Sequence, residues 1–598
     1  MENQTILNHL LLAQNRPSQL HAQKYKKNKV WESKNWRDYF DQCQLLAAGL
    51  LSLGLEKSNK VAILCQTRPE WEWMDLAILG CGAITVPIYP SYHAEEIEFI
   101  LNDAQVKILV CENLEQYNKF KEIHKNSPSV ESIVLIDGHI NSNNIYSWEQ
   151  LNKAGSDYLS KNEDCYISSC SQVKIDDVAT LIYTSGTTGN PKGVVLSHRQ
   201  IMSELVDLFE VLQVNEQDIT LTFLPFAHVL GRVEMWGHIY KGYTLGYAES
   251  IDKIKKNLTE IHPTLIIAVP RIFEKIYNGI LSQVETSPTK EKVFKWAIKT
   301  GSKISRLKVK KIIIPIHLLL QYQLAKKLVF DTILEKLGGR LRFAFSGGAP
   351  LSREIGEFFH AAGLLILEGY GLTETTAGIA VNSPIHYQFG TVGKPLGDVV
   401  LKFASDGEIL VKSDKVMTGY YNNETANIEA FTDGFFHTGD IGELTREGFL
   451  KITDRKKDLI KTAGGKYVAP QKLENLLKLN PYISNVLIHG DKRKYIVALI
   501  TLDETNIKKY ALNNNISFSD VSSLAHSDKI KELIREAVAE ANNQLSSFES
   551  IKSFAILEND FTIESGELTP SLKVKRKICD ERYKDKIEEL YGKDRSSI

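Results

Sequence analysis

Helical patterns alternate with short apolar strands between residues 35 and 110. In chain order the segments are YFDQCQLLAAGLLSLGL, KVAILCQT, WEWMDLAILGCGAITVPIYP and EIEFILNDAQVKILVC. This alternation is typical of βαβ units, in which helices join parallel strands and cover the sheet. The same order recurs at 259–276 and at 341–381. The sequence therefore predicts an α/β fold.

The pattern of expected helices and strands changes twice further along the chain. After about residue 395 it becomes a series of short strands and turns, and beyond 458 it mixes lysine-rich helices with strands. With 598 residues, several subdomains are expected. We predict a large N-terminal region of layered sheets and helices over 1–453, a hinge at the charged run 454–458, and a small mobile α+β domain over 459–598.

Composition limits the function classes. Lys+Arg 72 against Asp+Glu 73 gives no overall field for nucleic acid, and no nucleic-acid motif is recognisable. The seven cysteines are scattered without a C-x-x-C pair, which argues against a disulfide scaffold or a zinc site and favours a reducing compartment. The N-terminus carries an early acid and only a short apolar run, so no signal peptide is predicted and the expected location is cytoplasmic.

One basic and apolar segment, KVKKIIIPIHLLLQYQLAKK at 308–327, is open to two interpretations. A proline, a histidine and a glutamine interrupt it, and it falls short of the roughly 20 apolar residues that a spanning helix needs. The favoured interpretation is a buried helix with a solvated basic edge. The alternative is peripheral contact with the inner face of a membrane through its lysines and neighbouring apolar residues.

The stretch YTSGTTGNPKGVVLSH at 183–198 has the composition of an anion cradle. Hydroxyl side chains and glycines supply donors and close backbone approach, as phosphate oxygens require. It is not a Walker A loop, because Lys192 lies between Pro191 and Gly193. A plain linker is the alternative, but DVATLIY before the loop and VVLSH after it predict two strands joined by a hairpin-like turn.

Two more glycine-rich turns follow apolar strands, SGGAPLS at 346–352 and EGYGLTET at 368–375. In an open α/β sheet such turns line the cleft at the carboxyl ends of the strands. Glu374 offers a carboxylate to a hard cation, and Asp440, in FFHTGD, offers one to a pair of vicinal hydroxyls. Each turn taken alone is more simply a structural one.

Together these motifs resemble the AMP-forming acyl-CoA synthetases of the adenylate-forming superfamily. The order is YTSGTTGNPKG, LPFAHVLGR, SGGAPLS, GYGLTET, FFHTGD, DRKKDLIKTAGGKYVAP and GELTPSLKVKR, over roughly 35–580. The ordered set is far more specific than any single member. The family has Ser-Gly-Lys in many members at the last motif, whereas this chain has Ser571-Leu572-Lys573, the form associated with long-chain enzymes.

The resemblance implies a role for each matching residue. Catalysis is assigned to Lys573, which would bridge the carboxylate and the α-phosphate, to His228 beside the acyl carboxylate, and to Thr184 and Glu374, which would also hold Mg²⁺. The ATP phosphates are assigned to Thr184, Ser185, Gly186, Thr187, Thr188 and Lys192. Adenine is assigned to the pocket of Gly347, Gly348, Gly369, Tyr370 and Thr373, and the ribose to Asp440 with Arg455. Lys457 matches the hinge, and Gly464 and Gly465 would face the tunnel in which the thioester forms.

The expected reaction is therefore activation of a fatty acid by ATP to an acyl-adenylate, followed by transfer to CoA. The stretch 281–340 resembles the insertion of long-chain enzymes, which implies a long-chain fatty acid:CoA ligase using ATP, Mg²⁺ and CoA. A fatty acyl-AMP ligase that loads an acyl carrier protein is the close alternative. A lipid-binding or membrane-recruited protein on a degenerate scaffold is the alternative from another class.

Overall fold

The first part of the chain alternates strands and helices as the sequence predicts. The fold comes from a computed structural model that describes residues 4–184, 191–284, 287–569 and 572–592. Up to residue 184 the helices are α1 (Ile6–Ala13), α2 (Trp36–Ser52), α3 (Pro69–Gly80), α4 (Ala94–Ala104), α5 (Leu114–Ile123), α6 (Trp148–Leu159) and α7 (Cys165–Gln172). The strands are β1 (His21–Lys27), β2 (Val30–Asn35), β3 (Lys60–Leu64), β4 (Ile84–Ile88), β5 (Val106–Cys111), β6 (Ser132–Leu135), β7 (Ile145–Ser147) and β8 (Val178–Thr184).

Residues 191–455 extend this pattern and end in short strands. The helices are α8 (His198–Val211), α9 (Val229–Lys241), α10 (Ile254–Ile261), α11 (Pro270–Val284), α12 (Pro288–Val309), α13 (Ile316–Ala325), α14 (Asp331–Glu335), α15 (Arg353–Ala362) and α16 (Glu424–Ala430). The strands are β9 (Lys192–Ser197), β10 (Ile219–Thr222), β11 (Thr244–Tyr247), β12 (Leu265–Ala268), β13 (Phe343–Ser346), β14 (Leu365–Tyr370), β15 (Ala380–Val381), β16 (Lys394–Pro395), β17 (Val400–Phe403), β18 (Glu408–Lys412), β19 (Gly419–Tyr420), β20 (Phe431–Thr432), β21 (Phe435–Leu444) and β22 (Leu450–Arg455).

Two large sheets form the centre of this region. One has nine strands in the order β16-β15-β14-β13-β12-β10-β11-β1-β2, and the other has eight in the order β19-β9-β8-β4-β3-β5-β6-β7. From β10 to β14 the first sheet is parallel, and from β7 to β8 the second is parallel. The α/β prediction is confirmed.

Helices buried between the sheets hold the two together. Strand β3 shows the layering: Val61 and Ile63 face the core that contains α2, α3 and α9, while Ala62 and Leu64 face a second core with α4. This alternation follows from the period of two along a strand. Helix α3, PEWEWMDLAILG, is buried almost all round, as expected for a helix covered on both sides.

The predicted hairpin around the anion cradle has its two strands. Strands β8 and β9 pair antiparallel, with Thr184 opposite Lys192 at the open end. The cradle residues Ser185, Gly186, Thr187 and Thr188 lie outside the described residues. The prediction of strands on both sides of the cradle is confirmed.

A smaller sheet leads to the C-terminal part of the chain. Strands β17, β18, β21 and β20 are neighbours, and β22 pairs with β21. The β21–β22 pair sets Asp440 opposite Arg455, the last residue of β22. Residue 456 and those after it then leave the sheet in a turn.

The remainder of the chain has two sheets and two apolar cores of its own. Its strands are β23 (Ile460–Lys461), β24 (Tyr467–Val468), β25 (Ile483–His489), β26 (Ile496–Leu502) and β27 (Ile551–Ile556). Its helices are α17 (Pro470–Lys478), α18 (Glu504–Asn513), α19 (Val521–Ala525), α20 (Asp528–Asn542), α21 (Arg576–Arg582) and α22 (Lys584–Gly592). Two apolar clusters lie on the two faces of β25-β26-β27 and contain only residues from 460 onwards among their buried members. The boundary at 454–458 and the mobility of this unit stay predictions.

The favoured interpretation of 308–327 is wrong. Only Leu318 and Ala325 of α13 are buried, and much of the helix surface faces solvent. Ile313, just before the helix, is 92% exposed. Local periodicity shows that a helix has an apolar face but not that another element covers it. Within the described ranges, no helix is both long and apolar enough to cross a bilayer.

Candidate active site

The turns after β13 and β14 bring backbone close to the predicted adenine pocket. Gly347 donates its N–H to the Ala268 carbonyl at 3.1 Å, and Gly348 has a φ of +80°, which a residue with a Cβ rarely adopts. A Cβ on Gly369 would lie 2.4 Å from the Phe345 ring. These glycines therefore fit a place where the chain turns sharply beside a packed aromatic ring.

Tyr370, Asp440 and Arg455 form one hydrogen-bonded group at the end of β14. The Tyr370 hydroxyl donates to Asp440 Oδ2 at 2.7 Å, and Arg455 Nε lies 3.2 Å from Asp440 Oδ1. Burial raises the pKa of Asp440, and the charge of Arg455 opposes that rise. A carboxylate has about four lone-pair sites, so Asp440 retains capacity for two further hydroxyl donors.

Glu374 lies in a short helical turn immediately after this group. Its Oε1 accepts a hydrogen bond from the Tyr420 hydroxyl at 3.0 Å, and its carbonyl accepts from the Met417 N–H at 2.8 Å. Thr373 opens the same turn, which is closed by the bond from the Leu372 N–H to Thr375 Oγ1 at 2.8 Å. The Glu374 carboxylate is thus held in place through one oxygen.

The predicted phosphate residues that are described meet Glu374 through Tyr420. Strand β19, which carries Tyr420, pairs with β9. The Lys192 ammonium lies 5.0 Å from the centre of the Tyr420 ring, a cation–π contact. Thr184 is opposite Lys192 in the hairpin, and its hydroxyl is 3.5 Å from the Lys192 carbonyl. Thr184, Lys192 and Glu374 therefore share one corner of the molecule.

His228 is the N-cap of α9, and this position determines its tautomer. The backbone N–H of Leu230 donates to His228 Nδ1 at 3.2 Å, so in the neutral ring the proton is on Nε2. Burial, reinforced by the charge of Lys573, lowers the pKa of His228 to about 3. At neutral pH His228 is therefore an uncharged hydrogen-bond donor.

Lys573, in the C-terminal unit, interacts electrostatically with this cluster. Its backbone is fixed by two bonds with Thr569. The Lys573 N–H donates to Thr569 Oγ1 at 3.0 Å, and the Thr569 N–H donates to the Lys573 carbonyl at 2.8 Å. Burial and the charge of Arg455 lower the pKa of Lys573 to about 8, against the attraction of Asp440 and Glu374. An ammonium from the C-terminal unit thus interacts with both predicted ligand-binding carboxylates.

Three predicted residues are not brought to this place. Lys457 is exposed in the turn after β22, and Gly464 and Gly465 are exposed in a turn of the C-terminal unit. That turn is closed by the bond from the Thr462 N–H to the Lys466 carbonyl at 2.9 Å. In this arrangement the C-terminal unit presents Lys573 to the cluster and leaves the glycine turn on its outside.

Two residues beside the site lie outside any motif recognised in the sequence. Tyr420, in TGYYNN, has no local signal beyond a tyrosine after a glycine. Glu204 of α8 is fully buried, and its Oε1 accepts the Gly378 N–H at 2.8 Å, which anchors the end of the Glu374 loop. A signal did exist for Glu204, because it lies on the apolar face that also carries Ile201, Leu205 and Leu208.

The donor set fits a magnesium ion that arrives with phosphates. The described residues contain no group of three or more His, Cys, Asp or Glu side chains that could hold a metal by themselves. Mg²⁺ characteristically binds to one or two carboxylates, with waters and substrate phosphates completing the shell. Glu374, with one oxygen engaged by Tyr420, is suited to that partial role.

Comparison with known proteins gives a match over nearly the whole chain. The AMP-binding enzyme family matches residues 13–421, and the AMP-binding enzyme C-terminal domain matches residues 457–595. A long-chain-fatty-acid--CoA ligase FadD15 of Mycobacterium tuberculosis is 37% identical over 94% of this chain and 93% of its own. A peroxisomal long chain acyl-CoA synthetase 6 of Arabidopsis thaliana is 32% identical over 91% of this chain and 80% of its own.

Solved structures share the fold at lower identity. The adenylation domain of a carboxylate reductase from Mycobacterium chelonae superposes with a TM-score of 0.75 at 21% identity, over 99% of this chain and 91% of that one. An anthranilate CoA ligase in complex with anthranoyl-AMP superposes with a TM-score of 0.75 at 18% identity, over 98% and 99%. These solved structures share the fold over nearly the whole of this chain.

Proposed function

This chain belongs to the AMP-binding enzyme family, and from that premise we propose that it is an AMP-forming long-chain fatty acid:CoA ligase. In the first step a fatty carboxylate oxygen attacks the α-phosphorus of ATP, the bond to the β-phosphate breaks, and pyrophosphate leaves. In the second step the CoA thiolate attacks the acyl carbon, the bond to the AMP oxygen breaks, and AMP leaves.

The observation that carries the proposal is the electrostatic interaction of Lys573 with Glu374, Asp440, Arg455 and His228. An anionic carboxylate must meet an anionic phosphate in the first step, so the site has to supply positive charge between them. A half-buried ammonium carried by a separate unit meets that need. A passive lipid-binding protein would have no use for a cation held at this cost of desolvation.

We propose that His228 and Lys573 act together on the fatty carboxylate. His228 is neutral and carries its proton on Nε2, so it would donate a hydrogen bond to one carboxylate oxygen without adding charge. Lys573 would lie between that carboxylate and the α-phosphate. Holding the two reactants in line converts an encounter of like charges into an oriented attack.

The nucleotide is assigned to three groups of residues. Asp440, with Arg455 beside it, would accept the ribose hydroxyls, and Gly347, Gly348, Gly369, Tyr370 and Thr373 would surround adenine. Thr184 and Lys192 would hold the phosphates together with Ser185, Gly186, Thr187 and Thr188. Mg²⁺, when bound through Glu374 and Thr184, neutralises phosphate charge and so makes pyrophosphate a better leaving group.

We propose that the second step uses another face of the C-terminal unit. Gly464 and Gly465 are exposed in the observed arrangement, whereas the family resemblance assigns them to thioester formation. A rotation about 454–458 would withdraw Lys573 and bring the glycine turn to the acyl-adenylate. Closure of this kind concentrates its backbone change in a few linker residues, of which Lys457 is one.

The acceptor is proposed to be CoA rather than a carrier protein. The relatives named above are a CoA ligase and an acyl-CoA synthetase, and each matches more than nine-tenths of this chain. Nothing in the described residues favours a carrier protein. We further propose that the enzyme works at a membrane surface, contacted through 308–327, because a long-chain acid is concentrated there.

The decisive measurement is AMP release from ATP and magnesium with free acids from acetate to oleate, with and without CoA. We expect CoA-dependent AMP formation that is greatest with long acids, together with ATP–pyrophosphate exchange in the absence of CoA. Adenylate without acyl-CoA would instead indicate a carrier-protein acceptor. The absence of AMP and of exchange with a folded protein would refute the ligase.

A further inference from the structure

The outer face of α13 and the segments on either side of it expose an unusual number of large apolar side chains. Ile313 is 92% exposed, Ile316 77% and Leu320 68%. Leu324 and Leu328 are also more than half exposed, and with the first three they form what we call the apolar stripe. Single exposed apolar residues are ordinary, but a contiguous row of them is typical of an interaction surface.

The inner face of α13 is already packed, so the apolar stripe has no partner within the described fold. Leu318 and Ala325 are buried on that inner side, and the ring of Tyr322 lies 5.7 Å from that of Phe330. Within α13, residues 316, 320 and 324 repeat every fourth position and therefore share a face. A second apolar face that the fold leaves uncovered is typical of a surface that binds a partner.

The charged residues of the segment that carries the stripe are all basic. Between residues 305 and 330 the chain contains no Asp or Glu. Its exposed cations, which we call the basic collar, are Arg306, Lys308, Lys310, Lys311, Lys326 and Lys327. Lys326 has a distant partner in Asp331 at 3.9 Å, a separation at which an exposed pair contributes little.

We propose that the apolar stripe and the basic collar dock this protein on a membrane that contains anionic lipid. Apolar side chains would enter the boundary between headgroups and acyl chains, while the lysines remain at the lipid phosphates, where their flexible stems allow them to reach. The proposal rests on the proposed function, since a long-chain acid partitions into the same surface.

The positive charge of the basic collar favours anionic lipid over a second copy of this chain as the partner. In an isologous dimer across this face, the collar of one copy would lie against the collar of the other. Like charges facing each other oppose association, whereas anionic headgroups complement the collar at every position.

Flotation of the full-length protein with vesicles tests the proposal. Vesicles of phosphatidylcholine alone are compared with vesicles that also contain phosphatidylglycerol. We expect binding to the anionic vesicles that weakens as salt is raised, because surface charges are screened over about a Debye length. Equal recovery with both vesicle types, or none with either, would overturn the proposal.

Paired variants locate the contact. Ile316→Ser with Leu320→Ser removes the centre of the stripe, and we expect vesicle binding to fall by about tenfold or more. The matched control is Ile428→Ser with Leu512→Ser, since these residues are 72% and 68% exposed on other elements. Loss of binding in the control to the same degree would mean that the stripe is not the docking surface.

The collar is tested in the same way. Removing two lysines with Lys310→Ala and Lys311→Ala should weaken binding to anionic vesicles roughly 30-fold, the factor for about 1 kcal/mol per lysine. Lys494→Ala with Lys529→Ala removes the same charge from exposed positions elsewhere and should change little. An unchanged partition of the 310/311 variant would contradict the proposal.

Two further outcomes would replace the lipid by another partner. If the protein sediments as a dimer that Ile316→Ser with Leu320→Ser dissociates, the stripe is an interface between copies and the lipid proposal fails. If the protein does not bind vesicles while an acidic protein protects the stripe, the partner is a protein and the membrane proposal fails. ATP–pyrophosphate exchange measured without vesicles reports the ligase activity separately, so failure of docking and failure of the proposed function are not confused.

Discussion

The protonation of one amine governs the proposed first step. Burial lowers the pKa of Lys573 to about 8, so the ammonium predominates at neutral pH but is lost within the range in which enzymes are commonly assayed. His228 contributes no charge, since its pKa is lowered to about 3. In the proposed step, the positive charge that would join carboxylate and phosphate therefore comes from Lys573, since Arg455 is paired with Asp440.

We expect Lys573→Ala to reduce adenylation by about 100-fold or more, while thioester formation from supplied acyl-AMP is largely retained. In the native enzyme kcat/KM for adenylation should fall as the pH rises above about 8, because the amine loses its proton. Lys573→Arg, which stays charged, should be slower but lack that fall. Lys575→Ala is the matched control, and equal loss of both half-reactions in Lys573→Ala would contradict the role.

We expect Glu204 to act as a positioning residue through the loop that follows Glu374. Its Oε1 accepts the Gly378 N–H, and its Oε2 is buried without a partner among the described residues. Burial raises the pKa of Glu204 to about 8, with Lys415 opposing the rise, so the folded protein binds a proton there at neutral pH. Because the unfolded chain releases that proton near pH 4.5, folding stability falls as the pH rises from about 4.5 to 8.

Glu204→Gln should therefore keep activity and flatten that pH dependence of stability, since an amide also accepts from Gly378. Glu204→Ala leaves a buried N–H unpaired, which costs about 1 to 3 kcal/mol, and should raise KM for MgATP through the Glu374 loop. Chemical denaturation from about pH 5 to 8 and steady-state kinetics measure the two effects. A Gln variant as impaired as the Ala variant would show that the charge, not the acceptor, matters.

Sequence could predict individual residues only where a motif surrounds them. Asp440 and Arg455 belong to different motifs, and the β21–β22 pairing sets them opposite each other. Tyr420 could not be found in the same way, because its contact with Glu374 depends on the pairing of β19 with β9. Such long-range pairing is a property of the whole fold and not of a few neighbouring residues.

At the scale of elements, strand and hairpin patterns succeeded where burial is decided locally. Strands β8 and β9 are short apolar runs beside a glycine-rich turn, and they pair as predicted. The 308–327 segment failed because apolar spacing alone does not say whether a neighbour covers a face. Helix α12 covers one side of α13 and leaves the other to solvent.

The linker after β22 gives a prediction about movement. Lys457 is exposed, and proline there would restrict both its own φ and the conformation of Lys456. We expect Lys457→Pro to leave adenylation nearly unchanged, while an added barrier of about 1.4 kcal/mol would slow the thioester step about tenfold. Rapid-quench assays of the two half-reactions measure this.

Lys457→Ala is the matched control for that linker, because it removes the same side chain without fixing the backbone. Equal slowing by Ala and Pro would assign the effect to the lost charge. Slowing of adenylation by Pro, with the thioester step intact, would place the pivot elsewhere.

At the scale of the whole molecule, helix α11 connects the two parts of the chain. Arg271 donates from Nη2 to Ser484 Oγ at 2.7 Å, and Lys509 donates to the Ser282 carbonyl. Ser484 in turn donates to Asp560 at 2.5 Å. These contacts stabilise the arrangement in which Lys573 is at the site, and a rotation would have to break them.

Arg271→Ala should therefore shift the population away from that arrangement. Loss of a charged hydrogen bond of about 1.5 kcal/mol would lower adenylation roughly tenfold, with thioester formation from supplied acyl-AMP unchanged or faster. Lys275→Ala, an exposed position on the same helix, is the control. A parallel decrease of both half-reactions would show that Arg271 supports general stability instead.

Arg455 ends β22, so the Asp440–Arg455 pair belongs to the sheet while Lys573 belongs to the unit beyond the linker. An acyl-adenylate is a mixed anhydride that water destroys, and its safest course is to stay where it is made. With the nucleotide bound to the sheet as proposed, the intermediate would stay in one place through both steps. The C-terminal unit would present different residues to an intermediate that stays in place. The acceptor side could then diverge without disturbing the chemistry of activation.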